Sequence, residues 1–195
     1  SGPIEVRAGC RLTLDVAASG VALTSLALDA LGRLDLGSGS ITVAAGGFVA
    51  ETLRQRLTAG RNDGAWDGAT GIVSRTAAAQ QGRAVGMVIL DDGSAQLAFT
   101  APGDTDLDGA IDILDAANFA AAGAFDAGTA ASWSGGDFND DAMVDILDAA
   151  DFIGSGLFDA GPYLPASSAP PPAGTTAAAP DALSLAFAAL ASLAA

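Results

Sequence analysis

Residues 100–163 hold thirteen Asp and not one Lys, Arg or His, so this segment repels itself unless something cationic binds it. The rest of the chain does not share the imbalance. Residues 1–99 set eight Arg against nine acidic residues, and residues 164–195 add only Asp181. The net charge of −15 is therefore a property of one stretch and not a general device for solubility. That stretch is also an internal duplication. Gly103-Asp104-Thr105-Asp106-Leu107-Asp108 returns 33 residues later as Gly136-Asp137-Phe138-Asn139-Asp140-Asp141. Asp112-Ile113-Leu114-Asp115-Ala116-Ala117 returns unchanged as Asp145 to Ala150, and Phe125-Asp126-Ala127-Gly128 returns as Phe158 to Gly161. Three matches in one register make each copy a supersecondary unit, and two such units can pack face to face.

The spacing of acids inside each copy points to calcium. Calcium takes six to eight oxygens, and a twelve-residue loop supplies them from positions 1, 3, 5, 7, 9 and 12, with Gly at 6 for the sharp turn. In the first loop those positions are Asp104, Asp106, Asp108, the Ala110 carbonyl, Asp112 and Asp115, with Gly109 at the turn. In the second they are Asp137, Asn139, Asp141, the Met143 carbonyl, Asp145 and Asp148. Two Ca2+ sites are expected. Ala142 replaces the turn glycine in the second loop, and a Cβ at positive φ costs roughly 1–2 kcal/mol, so the second site should bind more weakly. Position 8 is Ile111 in one loop and Val144 in the other, a pair expected to join the loops through a short β-bridge. One helix is predicted after each loop, over 113–122 and 146–153, with Leu114, Ala117 and Ala121 along one face of the first.

No amphipathic helix precedes the first loop, because 95–102 reads as strand and then turn, whereas a full EF-hand has an entering helix. The missing helix, Asp at position 12 and the duplicated loop–helix make residues 103–161 resemble a type I dockerin. The layout as a whole looks like that of bacterial secreted proteins, with strand-rich stalk repeats, a dockerin-like pair and a C-terminal sorting tail. Pro180-Asp181 before an apolar run is similar to the Pro-Glu-Pro tails of exported bacterial proteins, although the acidic residue differs and a terminal Arg cluster is missing. The resemblance implies calcium as the cofactor, a cohesin-like protein as one partner, and membrane sorting as a role for the tail.

The expected fold is mixed. Residues 1–100 form a mainly β domain, because apolar runs such as 12–16, 26–28, 34–36 and 41–43 alternate and are broken by Gly, Ser and Asp every eight to ten residues. A β-solenoid edge and a sandwich fit this pattern equally well. One helix is predicted near 49–59, with Val49, Leu53 and Leu57 on one face and Gly60 at its end, and a hairpin turns at Asp92-Gly93. A small α, dockerin- or EF-hand-like calcium domain follows over 103–161. An extended Pro/Ala-rich tail occupies 164–195 and ends in fourteen mostly apolar residues, Ala182–Ala195. A membrane span needs about 20, so none is expected.

Catalysis finds few candidates. Without His there is no Ser–His triad, histidine base or imidazole metal site. Outside the loops, carboxylates such as Glu5, Asp15, Glu51, Asp63, Asp67 and Asp91 could pair as acid and base across a fold. Trp66 and Trp133 are expected in the core or an interface, and Cys10 is expected to be buried as a small hydrophobe. No basic face suits nucleic acid. No signal peptide is visible at Ser1, where the start reads like a mature end, and low-affinity calcium sites suit the cell exterior. The expectation is a non-enzymatic, secreted, calcium-stabilised structural protein that assembles on itself into a layer or filament, with the 164–195 tail contacting a neighbouring subunit. The alternatives are a docking module for a cohesin-like receptor and a C-terminal fragment of a secreted carbohydrate-active enzyme.

Overall fold

Alternating apolar residues put every second side chain on one face of a strand, and Gly-rich breaks force the chain to turn before a long strand can form. The computed structural model describes residues 2–14 and 20–163, and in it these runs become short parallel strands in two sheets. β1 (Gly2–Val6), β3 (Val21–Leu28) and β5 (Ser40–Val43) lie side by side in the first sheet. β2 (Arg11–Thr13), β4 (Arg33–Asp35) and β6 (Gly71–Val73) form the second. The strands alternate between sheets along the chain, so each parallel crossover runs through a strand of the other sheet. Ile4 pairs with Leu26, Val21 with Ile41 and Leu12 with Leu34, which is one coil of 20–22 residues. This parallel pairing differs from that of an antiparallel sandwich. The hairpin β7 (Ala84–Ile89) and β8 (Ala95–Thr100) then adds antiparallel to β5, giving the order β1-β3-β5-β8-β7. Eight strands and four α-helices, the shortest being α2 (Arg75–Ala78), make the described chain mixed α/β, and neither sheet closes into a barrel.

The coil is interrupted once. Leu34 pairs with Ile72 across 38 residues because α1 (Ala50–Arg61) is inserted between β5 and β6. Leu53 and Leu57 are buried beneath it, while Val49 stands at the N-cap and is exposed, so the apolar face begins one turn later than expected. Gly60 does not end the helix. It lies in the last turn against β6, where an added Cβ would sit 1.7 Å from the Ile72 carbonyl oxygen. The helix stops instead at Asn62, in the left-handed conformation that Asn tolerates. Cys10 is exposed, contrary to expectation, because it sits in the turn where its amide bonds the Arg7 carbonyl.

After β8 come α3 (Ile113–Ala122), a 3-10 turn (Trp133–Gly135) and α4 (Ile146–Gly154). The buried face of α3 is Asp115 and Phe119; Leu114, Ala117 and Ala121, expected to share an apolar face, point to solvent. The expected bridge between Ile111 and Val144 does not form. Ile111 pairs with Phe158, and Val144 with Phe125, so each loop is clasped by the segment that follows the other copy's helix. The exchange extends to packing. Gly103 and Gly136, at φ 108° and 105°, open the two loops and lie against Phe152 of α4 and Phe119 of α3, leaving no room for a Cβ. Phe119, Phe138, Phe152 and Trp133 form an aromatic cluster with centroids 5.2–6.2 Å apart. Trp133 packs on Gly86 of β7, and one buried apolar cluster runs from the sheets into α3 and α4. Both tryptophans are in this core. The expectations for the 164–195 tail lie outside the described residues.

Gly60→Ala should destabilise the fold by about 3 kcal/mol, read from the urea midpoint, because α1 and β6 cannot part without opening the core. A loss below about 0.5 kcal/mol, the scale of an unconstrained surface change, would show that the close contact is not required.

Candidate metal centre

The first loop hangs from the end of β8. Its first acid, Asp104, is buried. Oδ1 of Asp104 accepts from the Asp108 amide at 3.2 Å, and Oδ2 accepts from the Gly109 amide at 3.2 Å and the Thr100 hydroxyl at 2.9 Å. The Tyr163 hydroxyl donates to the same Oδ2. Asp106 Oδ1 accepts from the Asp108 amide, and Asp108 Oδ1 from the Ala110 amide at 2.8 Å. These bonds curl the backbone around the side chains and bring carboxylate oxygens of Asp104, Asp106 and Asp108 within 4.8 Å of one another. Three hard oxygen donors at that spacing fit a divalent cation such as Ca2+.

The remaining predicted ligands do a second job. Asp112 is the N-cap of α3, accepting from the Leu114 amide at 2.7 Å. Asp115 Oδ1 accepts from the amide and hydroxyl of Thr105 at 2.7 and 2.8 Å, and its Oδ2 from the Asp112 amide at 2.8 Å. Asp115 thus ties the start of the loop to the start of the helix, while its charge still acts on Asp106.

The second loop repeats this network almost bond for bond. Asp137 accepts from the amides of Asp141 and Ala142 at 3.1 and 2.9 Å. Asn139 Oδ1 accepts from the Asp141 amide, and Asp141 Oδ1 from the Met143 amide, both at 2.8 Å. Asp145 caps α4 through the Leu147 amide at 2.7 Å, and buried Asp148 accepts from the amides of Phe138, Asn139 and Asp145. Ala142 takes φ 74° where Gly109 takes 91°, so the strain expected at that turn is real.

Residues with no motif to announce them complete the surroundings. Thr100 and Tyr163 bracket the duplication, and Arg83 lies 5.1 Å over the Tyr163 ring. Trp133 Nε1 donates to the Asp104 carbonyl at 2.6 Å. From α1, Arg54 reaches Asp137 at 3.9 Å and Arg61 reaches Asp151 at 4.0 Å. Sequence could have flagged the arginines only as two of the eight cations outside the acidic segment. The fold had to choose which acids they meet.

Burial is the main cause of the unusual acidity here. It pushes Asp104 and Asp137 up to about 6 and Asp140 to about 7, and raises Asp106 and Asp148 as well. Neighbouring carboxylates add to the rise, whereas Arg61 and Arg54 oppose it at Asp140. Oδ2 of Asp140 is buried without a hydrogen-bond partner. The chain matches no protein-family model, no curated protein and no solved structure.

Each raised Asp binds its proton more tightly in the folded chain than in the unfolded one. For Asp104, Asp137 and Asp140 the cost to folding is full above the folded pKa of about 6–7 and vanishes below the ordinary value of 3.8. Without divalent cations, the melting temperature should rise as pH falls from 7.5 to 5. A melting temperature that falls over this range in chelator would contradict the burial of these carboxylates.

Proposed function

We propose that residues 103–161 are a dockerin-like pair of calcium loops serving as a permanent structural clamp in a secreted, non-enzymatic protein of the cell exterior. The convergence of Asp104, Asp106 and Asp108 carries this reading, with its near repeat at Asp137, Asn139 and Asp141. Ca2+ would supply positive charge that the thirteen Asp of this segment require beyond what Arg54 and Arg61 give. The chain's own residues do the rest. Asp104 and Asp137 present buried carboxylates, and Asp106, Asp108, Asn139 and Asp141 close the loops over them. Asp115 and Asp148 pass the loop geometry to α3 and α4. Because the bridges Ile111–Phe158 and Val144–Phe125 are exchanged, ordering either loop holds the other copy's helix end. Such an arrangement suits a clamp better than a switch. The mainly β part over 1–100 is the body against which the pair is held.

Saturating CaCl2 should raise the melting temperature by about 10 °C over that in EGTA, with two ions bound per chain by calorimetry. Asp104→Asn with Asp106→Asn should remove one of them. An unchanged melting curve in chelator would defeat the calcium reading.

Assembly belongs to the same proposal, with the 164–195 tail contacting a neighbouring copy. The docking alternative draws on a different observation. Ile113 and Leu114 at the start of α3, and Ile146 and Leu147 at the start of α4, are all more than half exposed at equivalent positions of the duplication. Duplicated apolar side chains left in water favour a protein partner. Light scattering on the intact chain and on one ending at Tyr163 separates the readings. Assembly lost on truncation supports the structural protein. Monomers in both cases, with calcium-dependent capture by a cohesin-type domain, support docking.

A further inference from the structure

The two loops have the same ligand pattern but different neighbours at their first acid. In the first loop, the groups added to Asp104 from outside the loop are neutral: the hydroxyls of Thr100 and Tyr163 both donate to Oδ2. They orient the carboxylate and leave its full negative charge for a cation. In the second loop, the group added to Asp137 is a guanidinium. Arg54 of α1 stands 3.9 Å from Asp137 Oδ2 and 3.6 Å from Glu51, with its side chain mostly buried. A fixed positive charge beside the first ligand opposes entry of a divalent ion and supplies part of the charge that the ion would bring.

We propose that Arg54 is a built-in counter-cation of the second loop, so that the two sites fill in a fixed order, the first loop before the second. The inference rests on the calcium reading above and adds to it a residue outside both loops that sets their ranking. It explains why the N-terminal body carries cations on the helix facing this loop: α1 delivers Arg54 to Asp137 and Arg61 to Asp151. The second loop and α4 are then held to α1 by an ion pair before calcium arrives. The first loop meets uncharged partners at the equivalent place. The strain at Ala142 is a separate, backbone contribution in the same direction and is unaffected by changes at position 54.

The test is calcium calorimetry on the full chain as wild type, Arg54→Gln and Arg54→Lys, with terbium titration alongside. Trp133, bonded to the Asp104 carbonyl and packed on Phe138 of the second loop, can sensitise terbium in either loop, so the same titrations on Asp104→Asn with Asp106→Asn, which empties the first loop, assign the sites. Arg54→Gln should tighten the weaker of the two sites roughly fivefold, leave the stronger within twofold, and narrow the gap between them. Arg54→Lys, which keeps the charge, should stay close to wild type, and this arm separates charge from loss of packing. With the first loop emptied by Asp104→Asn and Asp106→Asn, the remaining site should be the weaker one, and a remaining site as tight as the stronger wild-type site overturns the order. Two sites in wild type with the weaker one unmoved by Arg54→Gln, or equally tightened by Arg54→Lys, overturn the role of Arg54 alone. No calcium binding by wild type overturns the calcium reading, and this inference with it.

Discussion

Two buried carboxylates, Asp115 and Asp148, hold the C-terminal half in its arrangement. Asp115 accepts from the amide and hydroxyl of Thr105, Asp148 from the amides of Phe138 and Asn139, and each from the amide of its helix N-cap. A buried carboxylate left without such partners would be very costly, so these bonds admit one placement of the side chain. That placement sets the rotation of the helix behind it. With Asp115 turned inward, Phe119 one turn later must be inward too, and Leu114 is carried to solvent. The aromatic cluster, the clasp between copies and the exposed Ile-Leu pairs all follow from this choice of phase.

The coupling of the two halves has a similar local origin. Trp133 reaches across to the Asp104 carbonyl while its ring covers Gly86, so one side chain belongs both to the first loop's surroundings and to the packing on β7. Thr100 is the last residue of β8 and also a donor to Asp104. The sheet therefore ends where the candidate site begins. Charge crosses the same boundary at α1, where Arg54 and Arg61 face the acidic segment. A duplicated sequence placed against a body that is not duplicated must have two different environments, and the two loops differ for that reason.

Much of this could be read directly from the residues. The helix over 113–122 and the hairpin at Asp92-Gly93 stand where spacing and turn chemistry place them, and the helix expected near 49–59 runs over 50–61. The readings that failed share a cause. Gly60 looked like a helix terminator because glycine usually is one, yet it answers to the backbone of β6 pressing on α1. Ile111 looked ready to meet Val144 because both hold position 8, yet each meets a phenylalanine from beyond the opposite helix. Cys10 looked like a core residue, and a tight turn leaves it in water.

What the sequence determined by itself was local: which residues turn, which alternate, which acids recur at ligand spacing, and that one segment carries charge it cannot neutralise internally. These depend on residues within about a dozen positions of each other, where backbone geometry fixes the outcome. Only the tertiary structure decided which face of α3 is inward, which strands pair across 20–38 residues, and that Asp104 meets hydroxyls while Asp137 meets a guanidinium. Those outcomes depend on elements distant in the chain competing for the same buried space and the same unpaired charge, and no local pattern records which of them wins.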